Sequence, residues 1–223
     1  MEMTYKFAYT VIGGLSKPSK MPWYSFSTPA ERCIKGSILR ETEGSTCASC
    51  YARKGFYSFS TVQNALERRF SALDHPLFVD AFVLVLNTLH KRGRKTYSLK
   101  GTKTKENRFR WHDSGDIQHV KHLENINEIA RRTPSIDHWL PTREVGIVKD
   151  FLKENTVAPN LTLRISATMV GQDYKKRPQG LPYSTVGVTS DKVQPCIAYE
   201  QEGKCLDCRA CWNKDTDINY PLH

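Results

Sequence analysis

The chain of 223 residues has no uninterrupted apolar run of eighteen residues, the length that a membrane-spanning helix needs. Its most apolar stretch, residues 77–89, is interrupted by Asp80 and Asn87 and predicts a buried helix instead. The first residues lack the basic and then apolar order of a secretory signal peptide, and no phosphate-binding loop of the Walker type occurs. We therefore expect a cytoplasmic protein without membrane association, in a compartment where structural disulfides are rare.

Acidic residues are in the minority, with 23 Asp and Glu against 33 Lys and Arg, which gives a formal net charge of +10. A surplus of this size suggests a nucleic acid or an anionic small molecule as partner. The densest basic runs, residues 91–110 and 175–177, would then form a phosphate-binding face. The alternative is a soluble basic protein, because the basic residues are scattered along the chain.

No cysteine occurs between Cys50 and Cys196, so the seven cysteines fall into two groups. We call Cys33, Cys47 and Cys50 the front thiols. We call Cys196, Cys205, Cys208 and Cys211 the rear thiols. An odd number of cysteines argues against a complete disulfide framework, and the spacing is that of metal ligands.

The rear thiols supply four thiolates, a ligand set that both zinc and iron–sulfur clusters accept. Three of them follow one another at a three-residue step, which resembles the cysteine run of bacterial ferredoxins. Cys196 could supply the fourth ligand from upstream. The spacing favours a [4Fe–4S] cluster over zinc.

The front thiols number only three, and a closed zinc site would need a fourth ligand. A cubane held by three cysteines leaves one iron open, which is the arrangement that binds S-adenosylmethionine for radical chemistry. The usual Cys-x3-Cys-x2-Cys spacing is kept only in its second interval, since thirteen residues separate Cys33 from Cys47. One cluster sharing ligands from both groups is equally compatible with the sequence, so one or two clusters are expected.

Strands and helices alternate through the middle of the chain. Strands are predicted at residues 108–112, 137–140, 160–165 and 184–188, with a weaker one at 95–99. Helices are predicted at residues 61–73, 77–90, 117–132 and 145–155. This order is typical of parallel βα units and predicts an α/β protein, a partial (βα) barrel with outer helices. We expect one domain with an irregular, cysteine-bearing segment over residues 1–60, a βα core over 61–190 and a cysteine-rich segment over 191–223.

Polar side chains gather after the predicted strands. In parallel α/β folds, chemistry lies at the carboxyl ends of the strands. We therefore expect a cofactor site built from His112, Asp113, Ser114, Asp116, Arg143 and Ser166. For Asp116 the alternative is that it caps the helix that follows.

Three segments carry a family resemblance: CASCYARKGFY at residues 47–57, RWHDSGD at 110–116 and LPTR at 140–143. Together with the rear thiols they resemble the phage gene product eighty-eight family, over about residues 30–213. The resemblance implies a phage-encoded iron–sulfur protein in the host cytoplasm, distantly similar to radical S-adenosylmethionine proteins with a cluster in the barrel mouth. It implies no established reaction.

That similarity would assign roles to the residues at the strand ends. Asp113, Ser114 and Asp116 would hold the amino group of S-adenosylmethionine. Arg143 and Ser166 would hold its carboxylate or ribose.

Two other functions stay open, so the sequence does not decide whether the chain is an enzyme. One is a non-catalytic nucleic-acid or host-factor binding protein with a structural iron–sulfur or zinc site. The other is a structural protein stapled by zinc, in which a histidine completes the front site. The candidates are His112, His119, His122 and His138.

Overall fold

The computed structural model describes residues 2–93, 95–97, 103–173, 177–178, 180–188 and 190–222, with the backbone alone at 95–97 and 103–105. Its α-helices are α1 (Tyr5–Val11), α2 (Ile34–Arg40), α3 (Ser60–Ala72), α4 (Phe78–Arg92), α5 (Val120–Arg132) and α6 (Val145–Glu154). Its strands are β1 (Ser25–Phe26), β2 (Lys95–Tyr97), β3 (Lys103–Lys105), β4 (Arg108–Trp111), β5 (Asp137–Thr142), β6 (Leu161–Ser166), β7 (Tyr183–Val186), β8 (Gln194–Pro195) and β9 (Ile218–Tyr220). Short 3-10 turns occur at Ala30–Arg32, Tyr51–Arg53, Gly55–Ser58, Ile197–Gln201 and Ala210–Trp212.

Seven strands form one sheet in the order β1-β4-β5-β6-β7-β9-β8, and every pair in it is parallel. Strands β2 and β3 pair antiparallel in a separate sheet of their own. The predicted α/β class with parallel strands is confirmed. The large sheet has β1 and β8 as its two edges, so it is an open sheet of the kind that a partial barrel contains.

One face of the large sheet carries the apolar core beneath α4 and α5. Phe109, Trp111 and Leu163 have no more than 1% of their surface exposed. The ring of Trp111 lies 4.7 Å from that of Phe82 on α4. Truncating a buried aromatic such as Phe82 to alanine costs about 3–5 kcal/mol, so this face is a main source of stability.

The opposite face is polar, because successive side chains of a strand alternate between the two faces. Arg110 of β4 lies beside Trp139 of β5, and Trp139 lies beside Thr162 of β6. Arg164 follows two residues after Thr162 and therefore shares its face. We call this the inner face. Because Thr162 donates a hydrogen bond to the carbonyl of Trp212, the C-terminal cysteine-rich segment covers it.

The segment predicted to be irregular, residues 1–60, contains two regular elements before its first cysteine. Helix α1 begins at Tyr5, with Thr4 as its N-cap, and it packs against α4. Strand β1 joins the sheet at residues 25–26. The loop expected between the front thiols likewise contains α2. All three elements are too short for their periodicity to show in the sequence.

Two further expectations concern the basic runs and the membrane. All basic side chains of residues 94–105 and 174–176 lie outside the described side chains. Arg177 is described, and it pairs with Asp217 at 3.1 Å instead of standing free. Across the described ranges, no helix combines the length and apolar character that crossing a bilayer requires.

Candidate metal centre

The front thiols lie together although thirteen residues separate the first two. Helix α2 starts directly after Cys33, and the chain then turns back. A methyl group at Gly36 would lie 3.5 Å from the Cys33 sulfur and 3.9 Å from the Cys47 sulfur. The Cys50 N–H donates to the Cys47 carbonyl over 3.2 Å. Helix α2 thus closes the gap that the sequence leaves open.

The pKa of Cys33 reflects this crowding. Burial raises it most, and the carboxylate of Asp116 and the thiols of Cys50 and Cys47 raise it further, whereas Arg143 lowers it. Two negative groups cannot lie close together in a buried place without favouring the protonated form. The front thiols, an acidic group and a guanidinium therefore share one site.

This site lies at the carboxyl end of β5 and β6. Ser45 and Met169 form an antiparallel bridge, and the Thr46 N–H donates to the Thr168 carbonyl over 2.9 Å. The Glu144 carboxylate accepts a hydrogen bond of 2.6 Å from the Lys35 N–H at the start of α2. The front thiols are thus placed where parallel α/β proteins bind their ligands.

Asp113 joins three segments at this edge. Its carboxylate accepts hydrogen bonds from Ser25 at 2.8 Å, from Tyr57 at 2.9 Å and from Ser27. Its backbone carbonyl accepts one from the Tyr51 hydroxyl. The side chain therefore holds the front segment to β1 and β4, and its acceptor positions are taken by the protein.

Asp116 is also fully hydrogen-bonded. Its carboxylate accepts from the Thr142 hydroxyl at 2.6 Å, the Arg143 N–H at 2.9 Å and the Ile117 N–H at 2.8 Å. Burial nevertheless raises the pKa of Asp116. The alternative that Asp116 caps the next helix is wrong, because His119 is the N-cap of α5. Asp116 instead fixes the β5 tip beside the front thiols.

Two of the predicted cofactor residues are serines. Ser114 donates to the Thr28 carbonyl over 2.8 Å and is buried. Ser166 is also buried, and it accepts a hydrogen bond of 3.5 Å from Ser184. The contact of Ser114 holds two loops together.

Arg143 differs from the other candidates. Its Nε donates to the Thr46 hydroxyl over 3.0 Å and to the Ala167 carbonyl over 3.3 Å. Within the described part of the chain, its terminal Nη groups make no hydrogen bond to protein. Arg143 is therefore a cation close enough to lower the pKa of Cys33, and its Nη groups have no described protein partner.

The rear thiols all line one small cavity beneath the inner face. The rest of its wall is apolar and consists of Pro195, Ala198, Ala210, Trp212 and Ile218. Burial raises the pKa of Cys211 to about 11 and also raises that of Cys205. The Cys211 sulfur lies 3.3 Å from the Tyr220 hydroxyl.

Two buried arginines of the inner face hold the rear segment in place. Arg108 donates to the carbonyls of Cys208 at 2.5 Å and Leu206 at 2.7 Å, and it pairs with Glu106 at 2.7 Å. Arg164 donates to the carbonyls of Thr216 at 2.7 Å and Asn213 at 2.9 Å. A segment without regular structure is thereby given backbone partners that a helix or strand would otherwise supply.

A third arginine, Arg110, lies between the two thiol groups. Burial opposes its charge, but Tyr51 and Asp113 on the front side and Tyr220 and Cys211 on the rear side outweigh burial and raise its pKa. Its guanidinium also stacks over Trp139, 4.6 Å from the ring centre. One cation therefore faces the rear thiols on one side and, on the other, Tyr51 and Asp113 next to the front segment.

A family model described as Gene product 88 matches residues 12–214. The match includes every front and rear thiol. The chain belongs to the Gene product 88 family. No curated protein and no solved structure matches it. The family resemblance of the sequence is confirmed, while its distant similarity to radical S-adenosylmethionine proteins has no support from these comparisons.

The metal sites expected for this family member are only partly formed. Among the described residues, no three or more His, Cys, Asp or Glu side chains are arranged to hold a single metal ion. The structure therefore gathers the thiols into two places without setting them at ligand geometry.

The histidines considered as zinc ligands have contacts of their own. His138 accepts from Trp111 Nε1 at 3.2 Å and lies 2.8 Å from the Thr133 hydroxyl, inside the core. His119 caps α5 and lies 3.3 Å from Asp74. His112 and His122 are both buried, with their rings 5.3 Å apart. Structural roles thus account for His138 and His119.

The three inner-face arginines of this Gene product 88 member, Arg108, Arg110 and Arg164, were not among the predicted site residues. A signal was present, because Arg108 and Arg110 alternate with apolar residues in one strand, and Arg164 interrupts an apolar strand. A charged residue in a strand that is buried on both faces needs a partner. Here the partners come from the rear segment.

Proposed function

We propose that this member of the Gene product 88 family is a cytoplasmic, phage-encoded iron–sulfur protein with a closed rear cluster and an open front cluster. The observation that carries the proposal is that all four rear thiols line one cavity with an apolar wall. Four thiolates form a complete ligand set for either [4Fe–4S] or zinc, and the three-residue step favours the cluster. The apolar wall would exclude water from the bound group.

The front thiols support an open cluster for a different reason. Three thiols meet at the carboxyl edge of the sheet, and the remaining four lie together elsewhere. A cubane with three cysteine ligands has one iron free for a small molecule, and we propose S-adenosylmethionine, which supplies radical chemistry when bound. The proposal extends to this cofactor and not to a substrate.

Arg143 is the residue that we propose for the carboxylate of that ligand. The charge of Arg143 acts on Cys33, and a guanidinium binds a carboxylate through two parallel hydrogen bonds. Ser166 stays a second candidate at the neighbouring strand tip. Asp113 and Asp116 are less suited than the similarity suggests, because protein donors already occupy their carboxylates.

Anaerobic purification followed by iron, sulfide and zinc analysis tests the clusters. We expect iron and sulfide, with a visible absorption that bleaches on reduction. Changing Cys208→Ser should remove one cluster and Cys47→Ala the other, each leaving the second spectrum intact. A colourless protein with stoichiometric zinc would contradict the proposal.

S-adenosylmethionine binding has its own test. Reduced protein should cleave the cofactor, and Cys50→Ala should abolish cleavage. Arg143→Lys should weaken binding of the cofactor while keeping the iron content of the protein. If the front cluster is fully loaded and S-adenosylmethionine nevertheless stays intact, the proposed radical chemistry is wrong. The protein would then still be an iron–sulfur protein.

A second candidate, a nucleic-acid binding protein, is favoured by one observation at the front segment. The rings of Tyr51, Phe56 and Phe59 are 58%, 79% and 55% exposed. Exposed aromatic rings on a protein of net charge +10 suit the stacking of single-stranded bases. The affinity for single-stranded nucleic acid should then fall steeply with salt, and it should weaken in Phe56→Ala. Tyr199→Ala is the control, because its ring lies on the rear segment and is equally exposed, and it should leave the affinity unchanged.

A host protein could occupy the same exposed rings. Binding to a protein partner would depend on Phe56 in the same way but would show a weak salt dependence. The salt series therefore separates these two partners.

A further inference from the structure

Helix α2 presents an apolar side to solvent. Ile34 and Ile38 lie four residues apart and therefore share one side of the helix, where they are 49% and 61% exposed. Gly36 lies between them in sequence and points to the opposite side, where an added methyl group would lie 3.5 Å from the Cys33 sulfur and 3.9 Å from the Cys47 sulfur. One side of α2 thus lies against the front thiols, while the other offers two aliphatic side chains to water.

Aromatic rings extend this apolar surface. Contacts run from α2 through the turn at residues 30–32 to the turns at residues 51–53 and 55–58. Eight large apolar side chains of the described residues are exposed, and five of them lie on α2 or beside these turns. Clustered exposed apolar side chains mark interaction sites, whereas single ones need no explanation. We call this cluster the front surface; it consists of Ile34, Ile38, Tyr51, Phe56 and Phe59.

The aliphatic members of the front surface distinguish between kinds of partner. Single-stranded nucleic acid gains affinity from bases that stack on aromatic rings, and Ile34 and Ile38 have no ring to offer. At a protein interface, aliphatic and aromatic side chains alike are stabilised by losing contact with water. The rings of Phe56 and Phe59 already pack edge to face, 5.5 Å apart, as one apolar unit. The complete front surface therefore fits a protein better than a nucleic acid.

The charges around the front surface narrow the choice further. Residues 31–54 carry five basic and three acidic side chains, on a chain of net charge +10. A second copy of this chain would bring the same basic surplus to the contact, and like charges across an interface repel. A partner with acidic side chains around its apolar contact would be complementary.

We infer that the front surface docks a partner protein whose contact region is apolar and bordered by acidic side chains. The inference goes beyond the proposed function and requires no metal. Because α2 lies between Ile38 and the front thiols, such a partner would sit directly over the front site.

The test uses the full chain as purified and a dye-labelled amphipathic peptide of leucine and glutamate, with binding read by fluorescence anisotropy. A peptide of leucine and lysine is the counterpart of opposite charge. The leucine–glutamate peptide should bind at least about tenfold more tightly than its counterpart. Ile38→Ser should raise its Kd about tenfold, because the variant removes an apolar side chain from the centre of the contact.

Tyr199→Ser is the matched control, because Tyr199 is exposed to a similar degree but lies on the rear segment. It should leave the Kd unchanged, and circular dichroism should show the parent fold in both serine variants. Equal affinity for the two peptides, no binding of either, or an unchanged Kd in Ile38→Ser would overturn the inference. Iron and sulfide analysis is a separate measurement, so the proposed function stands or falls independently.

Three other occupants would each give a different result and would also rule out the inference. An oligothymidylate that binds the parent and is weakened by Phe56→Ala but not by Ile38→Ser would identify a nucleic-acid surface. Anionic lipid vesicles that displace the peptide would identify a membrane surface. A dimer in analytical ultracentrifugation that Ile38→Ser dissociates would identify a second copy of this chain.

Discussion

Arg108 donates a hydrogen bond of 2.5 Å to the carbonyl of Cys208, which lies one hundred residues further along the chain. The same guanidinium pairs with Glu106, and both side chains are almost fully buried. The strand that bears the apolar core thus also holds the rear thiols.

Breaking this pair should destabilise the protein. Arg108→Met removes the guanidinium that pairs with the buried Glu106 carboxylate and donates to the Cys208 and Leu206 carbonyls, which costs about 3–5 kcal/mol in unfolding free energy. Urea unfolding measures this loss, and limited proteolysis should show earlier cleavage near residue 206. The double variant with Glu106→Leu should recover part of the loss, because the carboxylate whose charge Arg108 compensates is then removed as well. A loss below about 1 kcal/mol would contradict the role given to Arg108.

Gly36→Ala should disturb the front thiols selectively. The added methyl group would lie 2.8 Å from the Cys33 Cβ, too close for any real contact, so Cys33 must move. We expect lower metal content at the front site and an unchanged rear site, read from the two cluster spectra. Gly146→Ala in α6 is the control, since nothing lies within 4 Å of its added methyl group. Equal metal loss in both variants would contradict this expectation.

Gly115→Ala should lower the unfolding free energy by more than the cost of backbone strain, because a steric clash is added to that strain. Gly115 has φ +78°, and a methyl group there would lie 2.7 Å from the Thr28 carbonyl oxygen. Gly180→Ala is matched in φ, at +82°, but no heavy atom of the described residues lies within 4 Å of its added methyl group. Strain at positive φ costs about 1 kcal/mol in both. In urea unfolding the Gly115 variant should therefore lose clearly more free energy than the Gly180 variant.

Stability should fall as the pH drops below about 6.5, the ordinary pKa of histidine. Burial lowers the pKa of His138 to about 3. Between these values the unfolded state binds a proton that the folded state does not, so unfolding free energy rises with pH at about 1.4 kcal/mol per unit. The contribution is complete above about pH 6.5 and is lost towards pH 3. Burial lowers the pKa of His112 and His122 in the same direction.

His138→Gln tests how much of this pH dependence of the unfolding free energy comes from His138. The slope of unfolding free energy between about pH 5 and 6.5 should decrease by about one proton, whatever the variant costs in stability at neutral pH. An unchanged slope in His138→Gln would show that this ring is already protonated in the folded state.

The sequence predicted the repeating part of the fold well. Helix α6 and strand β6 begin within one residue of their predicted starts, because long amphipathic or apolar segments reveal their period. Strands β8 and β9, of two and three residues, are defined by the partners they pair with, and no local pattern marks them. The thirteen residues between Cys33 and Cys47 illustrate the same limit of sequence-based prediction. The distance between the two thiols in space depends on the fold of α2 and not on their separation in sequence.

The location of the candidate site could be predicted from the sequence, but the hydrogen bonding of its individual residues could not. Polar strand tips do meet the front thiols, as the parallel sheet requires. Which polar groups stay free depends on neighbours that are distant in sequence. Asp113 is bound by hydroxyls from β1 and from Tyr57, so only the folded chain shows that Arg143 has donors left to offer.

The pairing of β8 with β9 sets an order of assembly. Strand β8 contacts the sheet through β9, with Gln194 beside Ile218, and the rear thiols lie in the loop between these two strands. During synthesis this loop cannot close before residue 220 has left the ribosome, whereas every strand from β1 to β7 can already be paired. The four cysteines of the proposed rear metal site should therefore come together last, on a sheet that exists beforehand.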